Sequence, residues 1–173
     1  MKNPSKKTPY DNGRAVNETS AGAVVFLVRD KKIKVLLLVR NNAFFGIESK
    51  EVMIDIGPKG HVEKGESIVH AANREIREEI GMPLHIDMNF KEVIKYSFTA
   101  LDEKAQKQKK IKKEVVFFLA FMDSRDAKKI YLSGEHTKYY IVPIEEAIDQ
   151  VAFQNQKEVL EKANEYIRAH YLT

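Results

Sequence analysis

The hydrophobic pattern of the first third of the chain predicts β-strands. Residues 20–29 and 33–40 are apolar and rich in β-branched side chains, and the polar stretch 30–32 separates them. Two such runs around a short polar turn are typical of a β-hairpin. A polar loop that carries two phenylalanines follows over 41–50, and residues 51–56 are predicted to form a short strand.

The next segment has the features of a helix with defined ends. Residues 67–80 contain neither Gly nor Pro. Ser67 is a favourable N-cap residue, and Gly81 followed closely by Pro83 is a favourable stop. We therefore predict a helix over 67–80. Its apolar strip consists of Val69, Ala72, Ile76 and Ile80.

The remainder of the chain alternates between strand and helix patterns. The predicted elements are long strands over 86–99 and 114–121 with a polar, lysine-rich turn between them, a short strand over 139–142, a helix from Pro143 to about residue 149, and an amphipathic helix over 155–170. This order predicts an α/β fold, in which a mixed β-sheet is sandwiched between helices in α/β/α layers.

The composition is that of a globular protein. The chain has 173 residues, of which 43% are hydrophobic and 31% charged, enough for one domain with a buried core. We assign the domain to residues 19–173 and expect residues 1–18, rich in Lys and Asn, to form a mobile arm. The longest apolar run, 21–28, is too short to span a membrane, and no export signal is visible, so a cytoplasmic location is expected.

Charge and cysteine content narrow the chemistry. The formal net charge of +4 favours an anionic partner, which a nucleotide, an inositol polyphosphate or a nucleic acid would each satisfy. The absence of cysteine excludes disulfides, thiolate metal sites and a cysteine nucleophile.

Three carboxylates share one face of the predicted helix. Glu75, Glu78 and Glu79 stand at i, i+3 and i+4. Like charges at this spacing repel one another, so the trio is favourable only beneath a cation. Donors that are all oxygen suit Mg²⁺ or Mn²⁺, which also bridge to phosphates. The alternative interpretation is a solvated acidic face whose charge is relieved by Arg74 and Arg77.

The segment around these glutamates resembles the Nudix box, G-x5-E-x7-R-E-U-x-E-E-x-G-U, where U is a bulky aliphatic residue. Every fixed position is met, by Gly60, Glu66, Arg74, Glu75, Ile76, Glu78, Glu79, Gly81 and Met82. The resemblance implies the Nudix fold, in which the box forms a loop, a helix and a second loop beside a mixed sheet. It also implies a hydrolase that uses Mg²⁺, with Mn²⁺ as the alternative metal.

Further segments resemble one branch of the family, the asymmetrical diadenosine tetraphosphate hydrolases. The matching stretches are 20–24, 58–66, 113–120 and 132–139. The chain departs from that branch after Tyr139, where it has Tyr140 and Ile141 in place of the usual Arg and Trp. That departure concerns how a nucleobase is bound, and it leaves the residues proposed for hydrolysis unaffected.

The resemblance assigns metal-binding roles residue by residue. Glu75 and Glu79 would be the principal ligands, and Glu78 would complete a second metal site or hold the attacking water. The backbone carbonyl of Gly60 would be a further ligand. Glu135, which lies outside the box, would be an additional ligand or the base.

Other roles concern orientation and substrate contact. Arg74 would orient the catalytic glutamate. Glu66 would form a hydrogen bond across the loop that carries it. Lys59 and Lys113 would contact the polyphosphate, and Tyr139 would stack on adenine. Tyr96 and Phe153 are weaker stacking candidates that we expect in the core. His61 and His70 are not expected to be ligands, and His136 is expected only to shape its loop.

The expected reaction is metal-dependent attack of water on phosphorus, with Glu78 or Glu135 as the general base. This reaction would cut diadenosine tetraphosphate to ATP and AMP.

Three rival functions remain open. One rival is a Nudix enzyme for diphosphoinositol polyphosphates, RNA 5′ ends or modified nucleotides. A second is a non-catalytic Nudix-fold regulator, which the intact set of glutamates disfavours. A third is a nucleic-acid-binding protein that uses the lysine run 107–113, where no interleaved aromatic platform is expected.

Overall fold

A computed structural model describes residues 15–172. Its elements are β1 (Val16–Arg29), β2 (Lys32–Arg40), β3 (Ile54–Asp55), β4 (Lys59–His61), α1 (Ile68–Ile80), β5 (His85–Asp102), β6 (Lys107–Phe121), a 3₁₀ turn (Ala127–Lys129), β7 (His136–Pro143), α2 (Ile144–Gln150) and α3 (Gln154–Tyr171). Residues 1–14, most of the predicted mobile arm, lie outside the described part. The end of that segment belongs to the sheet, because β1 begins at Val16.

The strands form one mixed sheet. Its order is β3-β2-β1-β6-β5, with β4 also paired to β1 and β7 to β2. The predicted hairpin joins β1 to β2 through Asp30 and Lys31, whose φ angles of 51° and 58° match the left-handed turn that suits the twist of two antiparallel strands. In the centre, β1 runs parallel to β6 from Val16↔Ile111 to Phe26↔Phe121.

The two faces of the sheet carry separate cores, because successive side chains of a strand point to opposite faces. Along β1, Val24 and Phe26 pack with α2 and α3, whereas Ala23 and Val25 pack with α1. The α/β/α arrangement predicted from the sequence is therefore confirmed.

The caps predicted for α1 are present. The Ser67 hydroxyl accepts a hydrogen bond from the backbone N–H of His70 at 3.1 Å. At the other end, Gly81 has φ of 76°, and its N–H donates to the Arg77 carbonyl at 3.0 Å. A residue without Cβ adopts this left-handed geometry most readily. These caps fix where the box glutamates lie along the helix.

Two features differ from the expected elements. The lysine-rich stretch 107–113 belongs to β6, so the turn before it shrinks to 103–106. It stays extended because β5 pairs along one edge, with Tyr96 opposite Lys113, while β1 pairs along the other. The box loop also contains a strand that was not predicted, β4, in which Gly60 lies opposite Ala21.

Within residues 15–172, none of the helices combines the length and apolar character needed to cross a bilayer.

Candidate active site

A cleft of about 400 Å³ opens where α1 meets β4 and the loop before β7. It gathers eight of the nine residues that the sequence assigned to the site. These are Lys59, Gly60, Arg74, Glu75, Glu78, Glu79, Lys113 and Glu135.

The box glutamates differ in their burial. Glu75 and Glu79 turn toward the sheet and are 8% and 3% exposed, whereas the side chain of Glu78 is 57% exposed. The pKa of Glu79 is raised to about 9, mainly by burial and further by the negative charges of Glu75 and Glu135. Burial also raises the pKa of Glu75. Several acidic oxygens thus converge on one partly buried volume that favours a cation.

Glu135 is held close to α1 by its loop. The N–H of Tyr131 donates to the Ile80 carbonyl at 3.0 Å, and the N–H of Ser133 donates to the Glu79 carbonyl at 3.2 Å. These bonds satisfy carbonyls at the end of the helix, which have no partner within it. As a result, a carboxylate distant in sequence reaches the cleft.

The absence of a side chain at Gly60 lets β4 approach the glutamates. A Cβ placed on Gly60 would collide with the carboxylate of Glu75. The backbone of β4 therefore lies directly against that carboxylate.

Arg74 is the main cationic partner within the box. Its Nε and Nη2 donate to the two oxygens of Glu66 at 2.9 and 3.0 Å, and Nη2 also donates to the His61 carbonyl at 2.8 Å. Its Nη1 donates to Glu75 at 2.7 Å and to Glu78 at 3.2 Å. The hydrogen bonds from Arg74 lower the pKa of Glu66 to about 2, together with one from a backbone N–H three residues earlier. Arg74 thereby fixes the orientation of Glu75.

A buried network that sequence reasoning missed also lines the cleft. Asp55 accepts from Arg40 Nη2 at 2.6 Å and from His136 Nε2 at 3.1 Å, and Lys59 Nζ lies 3.7 Å away. Burial alone would raise the pKa of Asp55, but these hydrogen bonds and the charge of Lys59 hold it well below its usual range. The sequence offered one signal for this network, because Asp55 is a charged residue within a short apolar run and therefore needs a buried partner.

Lys113 reaches the cleft as part of another network. Its ammonium lies 3.4 Å from Glu18 Oε2 and 2.9 Å from His61 Nε2. Burial lowers the pKa of Lys113, while Glu18 acts in the opposite direction. Glu18 could have been found from the sequence only by knowing the β1–β6 register, which places it beside Lys113.

Tyr139 is the predicted site residue that the structure does not bring to the cleft. It lies in β7 opposite Leu38, packs against the core on the α1 face, and donates through its hydroxyl to the Ala127 carbonyl at 3.4 Å. Tyr96 and Phe153, which were expected in the core, are instead 45% and 54% exposed.

Tyr96 and Phe153 line a second, largely apolar pocket of about 310 Å³ that adjoins the cleft. The cleft and this pocket share Arg40, Asp55, Lys59 and Tyr96. The other lining residues are Met53, Ile94, Val115, Phe117, Asn155 and Gln156. The two cavities therefore form one site with an acidic part and an aromatic part.

Comparison with known protein families identifies the family to which this cleft belongs. The family described as NUDIX domain matches residues 18–163. The chain therefore belongs to the Nudix family, and it is a hydrolase of the pyrophosphohydrolase type.

Its similarity extends to named members of that family. Over 113 residues, the chain is 33% identical to the asymmetrical bis(5′-nucleosyl)-tetraphosphatase of Sus scrofa, covering 64% of this chain and 69% of the relative. The enzyme of the same name from Mus musculus is 32% identical over the same lengths. A crystal structure of a C. elegans Ap4A hydrolase binary complex superposes with a TM-score of 0.69 at 26% identity, covering 88% of this chain and 98% of that one. The Nudix fold expected from the box is thus confirmed.

Proposed function

We propose that this chain hydrolyses dinucleoside polyphosphates in a metal-dependent reaction, and specifically that it cuts diadenosine tetraphosphate asymmetrically into ATP and AMP. The observation that carries the proposal is a carboxylate-lined cleft joined to an aromatic pocket through the shared cations Arg40 and Lys59. The names of the pig and mouse relatives support the same substrate. A cytoplasmic location stays a prediction of the sequence.

The donor set fits a hard divalent cation, Mg²⁺ or alternatively Mn²⁺. The proposed ligands are Gly60, Glu75, Glu78, Glu79 and Glu135, which offer only oxygen. Within residues 15–172, no three His, Asp or Glu side chains stand in an arrangement that could hold a metal on their own. Mg²⁺ retains several waters and needs only one or two carboxylates beside substrate phosphates, so such an open site suits it. A bound cation would neutralise phosphate oxygens and make water more acidic.

The chain's own groups account for the remaining chemistry. Lys59 and Lys113 neutralise the polyphosphate, and Arg74 holds Glu75 in place. A carboxylate, Glu78 or Glu135, accepts the proton of the attacking water as its oxygen bonds to phosphorus. The bridging P–O bond breaks on the opposite side, and no covalent intermediate is required.

The aromatic pocket supplies the site for one adenine. Tyr96 and Phe153 present exposed rings on which a base can stack. In the same pocket, Gln156 Oε1 is buried and has no hydrogen-bond partner within the described residues. The exocyclic amino group of adenine is a donor that would satisfy this acceptor. These features support an adenine nucleotide over a substrate that lacks a base.

The decisive experiment is hydrolysis of diadenosine tetraphosphate by the purified protein with Mg²⁺, with products separated by anion-exchange chromatography. We expect ATP and AMP in equal amounts. Glu79→Gln should lose at least about a hundredfold in kcat, while Glu161→Gln, a matched change on the exposed surface of α3, should retain full activity. Formation of ADP alone, or full activity in Glu79→Gln, would contradict the proposal.

A further inference from the structure

Two phenylalanines on the loop after β2 are unusually exposed. Phe44 and Phe45 keep 57% and 45% of their surface accessible, and their rings pack edge to face with centroids 5.1 Å apart. Exposed apolar surface costs free energy, so a paired aromatic cluster at the surface marks a binding site more often than a scattered residue does.

The loop that carries this pair is held in place by hydrogen bonds. Asn41 donates from its backbone N–H to the Glu135 carbonyl at 2.7 Å and from its side chain to the Gly134 carbonyl at 2.9 Å. Asn42 Nδ2 donates to the carbonyls of Ser49 and Glu51 at 2.8 and 2.9 Å. The aromatic pair is therefore fixed to the same loop that brings Glu135 to the cleft.

Phe45 lines the acidic cleft together with Arg40 and Glu135. The guanidinium carbon of Arg40 lies 5.6 Å from the centroid of the Phe45 ring, which fixes the ring by a cation–π contact. Arg40 also lines the pocket of Tyr96 and Phe153. The site thus has aromatic rings in that pocket and a further aromatic ring, Phe45, in the carboxylate-lined cleft, and Arg40 lines both cavities.

We propose that Phe45, supported by Phe44, stacks on the second base of a dinucleoside polyphosphate, and that this contact favours substrates with a base at both ends. The inference rests on the proposed function. If one nucleoside of a dinucleotide occupies the Tyr96–Phe153 pocket and the polyphosphate lies over the carboxylates, the other nucleoside lies beyond the pocket, and Phe45 lines the cleft that continues from it. An exposed, fixed aromatic ring there can bind any base, because every base has a π-face.

The test compares diadenosine tetraphosphate with adenosine 5′-tetraphosphate, which has the same polyphosphate but lacks the second nucleoside. For Phe45→Ala we expect KM for the dinucleotide to rise about tenfold, as the loss of one base stack implies, with kcat nearly unchanged. Kinetics with the mononucleotide should not change. Phe45→Tyr should restore the low KM, and Ile47→Ala, which removes an exposed apolar side chain from the same loop, should behave as wild type.

The possible outcomes separate the two proposals. If wild type cleaves both compounds and Phe45→Ala impairs both equally, the loop only supports Glu135 and the stacking role is wrong. The stacking role is equally wrong if Phe45→Ala affects neither compound. If wild type cleaves neither, the proposed function itself fails, and the inference fails with it.

Discussion

His136 lies between two buried carboxylates of the cleft, those of Asp55 and Glu79. Its Nε2 lies 3.1 Å from Asp55 Oδ2, and its Nδ1 lies 3.9 Å from Glu79 Oε2. The imidazole is 3% exposed, and Nδ1 has no hydrogen-bond partner among residues 15–172. The imidazole therefore links the network around Asp55 to Glu79, a proposed metal ligand.

Replacement of His136 by Ala should affect both stability and turnover. Asp55 would lose a buried hydrogen-bond donor, which should lower the free energy of unfolding by about 2 kcal/mol. Glu79 would lose the ring that limits its position, so we expect kcat to fall about tenfold with little change in KM. Denaturant unfolding and steady-state kinetics measure these effects. His70→Ala, an exposed change on α1, is the control, and an unchanged kcat in His136→Ala would rule out a positioning role.

The raised pKa of Glu79 makes stability without metal depend on pH. Burial and the charges of Glu75 and Glu135 raise the pKa to about 9 in the folded state, compared with about 4.3 in the unfolded chain. The folded state therefore holds a proton that the unfolded state has lost, and stability falls as pH rises through this range. In EDTA, the Tm of wild type should fall relative to that of Glu79→Gln between about pH 5 and about pH 8.5.

Addition of excess Mg²⁺ should remove much of that difference at high pH, because a ligand that binds only the folded protein stabilises it. Thermal scans of both proteins with and without the metal provide the measurement. Parallel Tm curves for wild type and Glu79→Gln in EDTA would show that Glu79 is ionised in the folded protein throughout the range.

Gly60→Ala should reduce activity and also lower stability. The new Cβ would collide with the Glu75 carboxylate, and displacement of that carboxylate would disturb its hydrogen bond from Arg74, which should cost about 1 kcal/mol. Displacement of a proposed ligand should lower kcat by about tenfold or more. In contrast, Gly65 has φ of 81° and open space where a Cβ would stand, so Gly65→Ala should cost about 1 kcal/mol of stability and leave kcat intact. The reverse pattern for the two variants would contradict this account.

Gln156 should determine the preference for adenine. Its buried Oε1 has no partner in the described residues, and it lies in the pocket with Tyr96 and Phe153. Gln156→Leu removes the acceptor while keeping a similar volume, so KM for diadenosine tetraphosphate should rise about fivefold to tenfold. KM for diguanosine tetraphosphate should change less, because guanine carries a carbonyl oxygen at the ring position where adenine carries this amino group. Equal changes for both dinucleotides would indicate a loss of packing without a role in base selection.

The local features of the site followed from the sequence. Ser67 and Gly81 set the ends of α1 through hydrogen bonds to residues three or four positions away. The helical period then placed Glu75, Glu78 and Glu79 near one another. These features depend on neighbours along the chain, and a pattern of residue types is sufficient to specify them.

Contacts between distant residues depended on the tertiary structure. Asp55 and His136 are 81 positions apart, and no local pattern relates them. Likewise, Tyr139 and Tyr96 both lie in strands, but only Tyr96 lines the site. A shift of one residue along a strand moves a side chain to the other face of the sheet. The register that decides between these faces comes from pairing with strands remote in sequence. Only the assembled sheet therefore placed Tyr96 and Asp55 at the cleft.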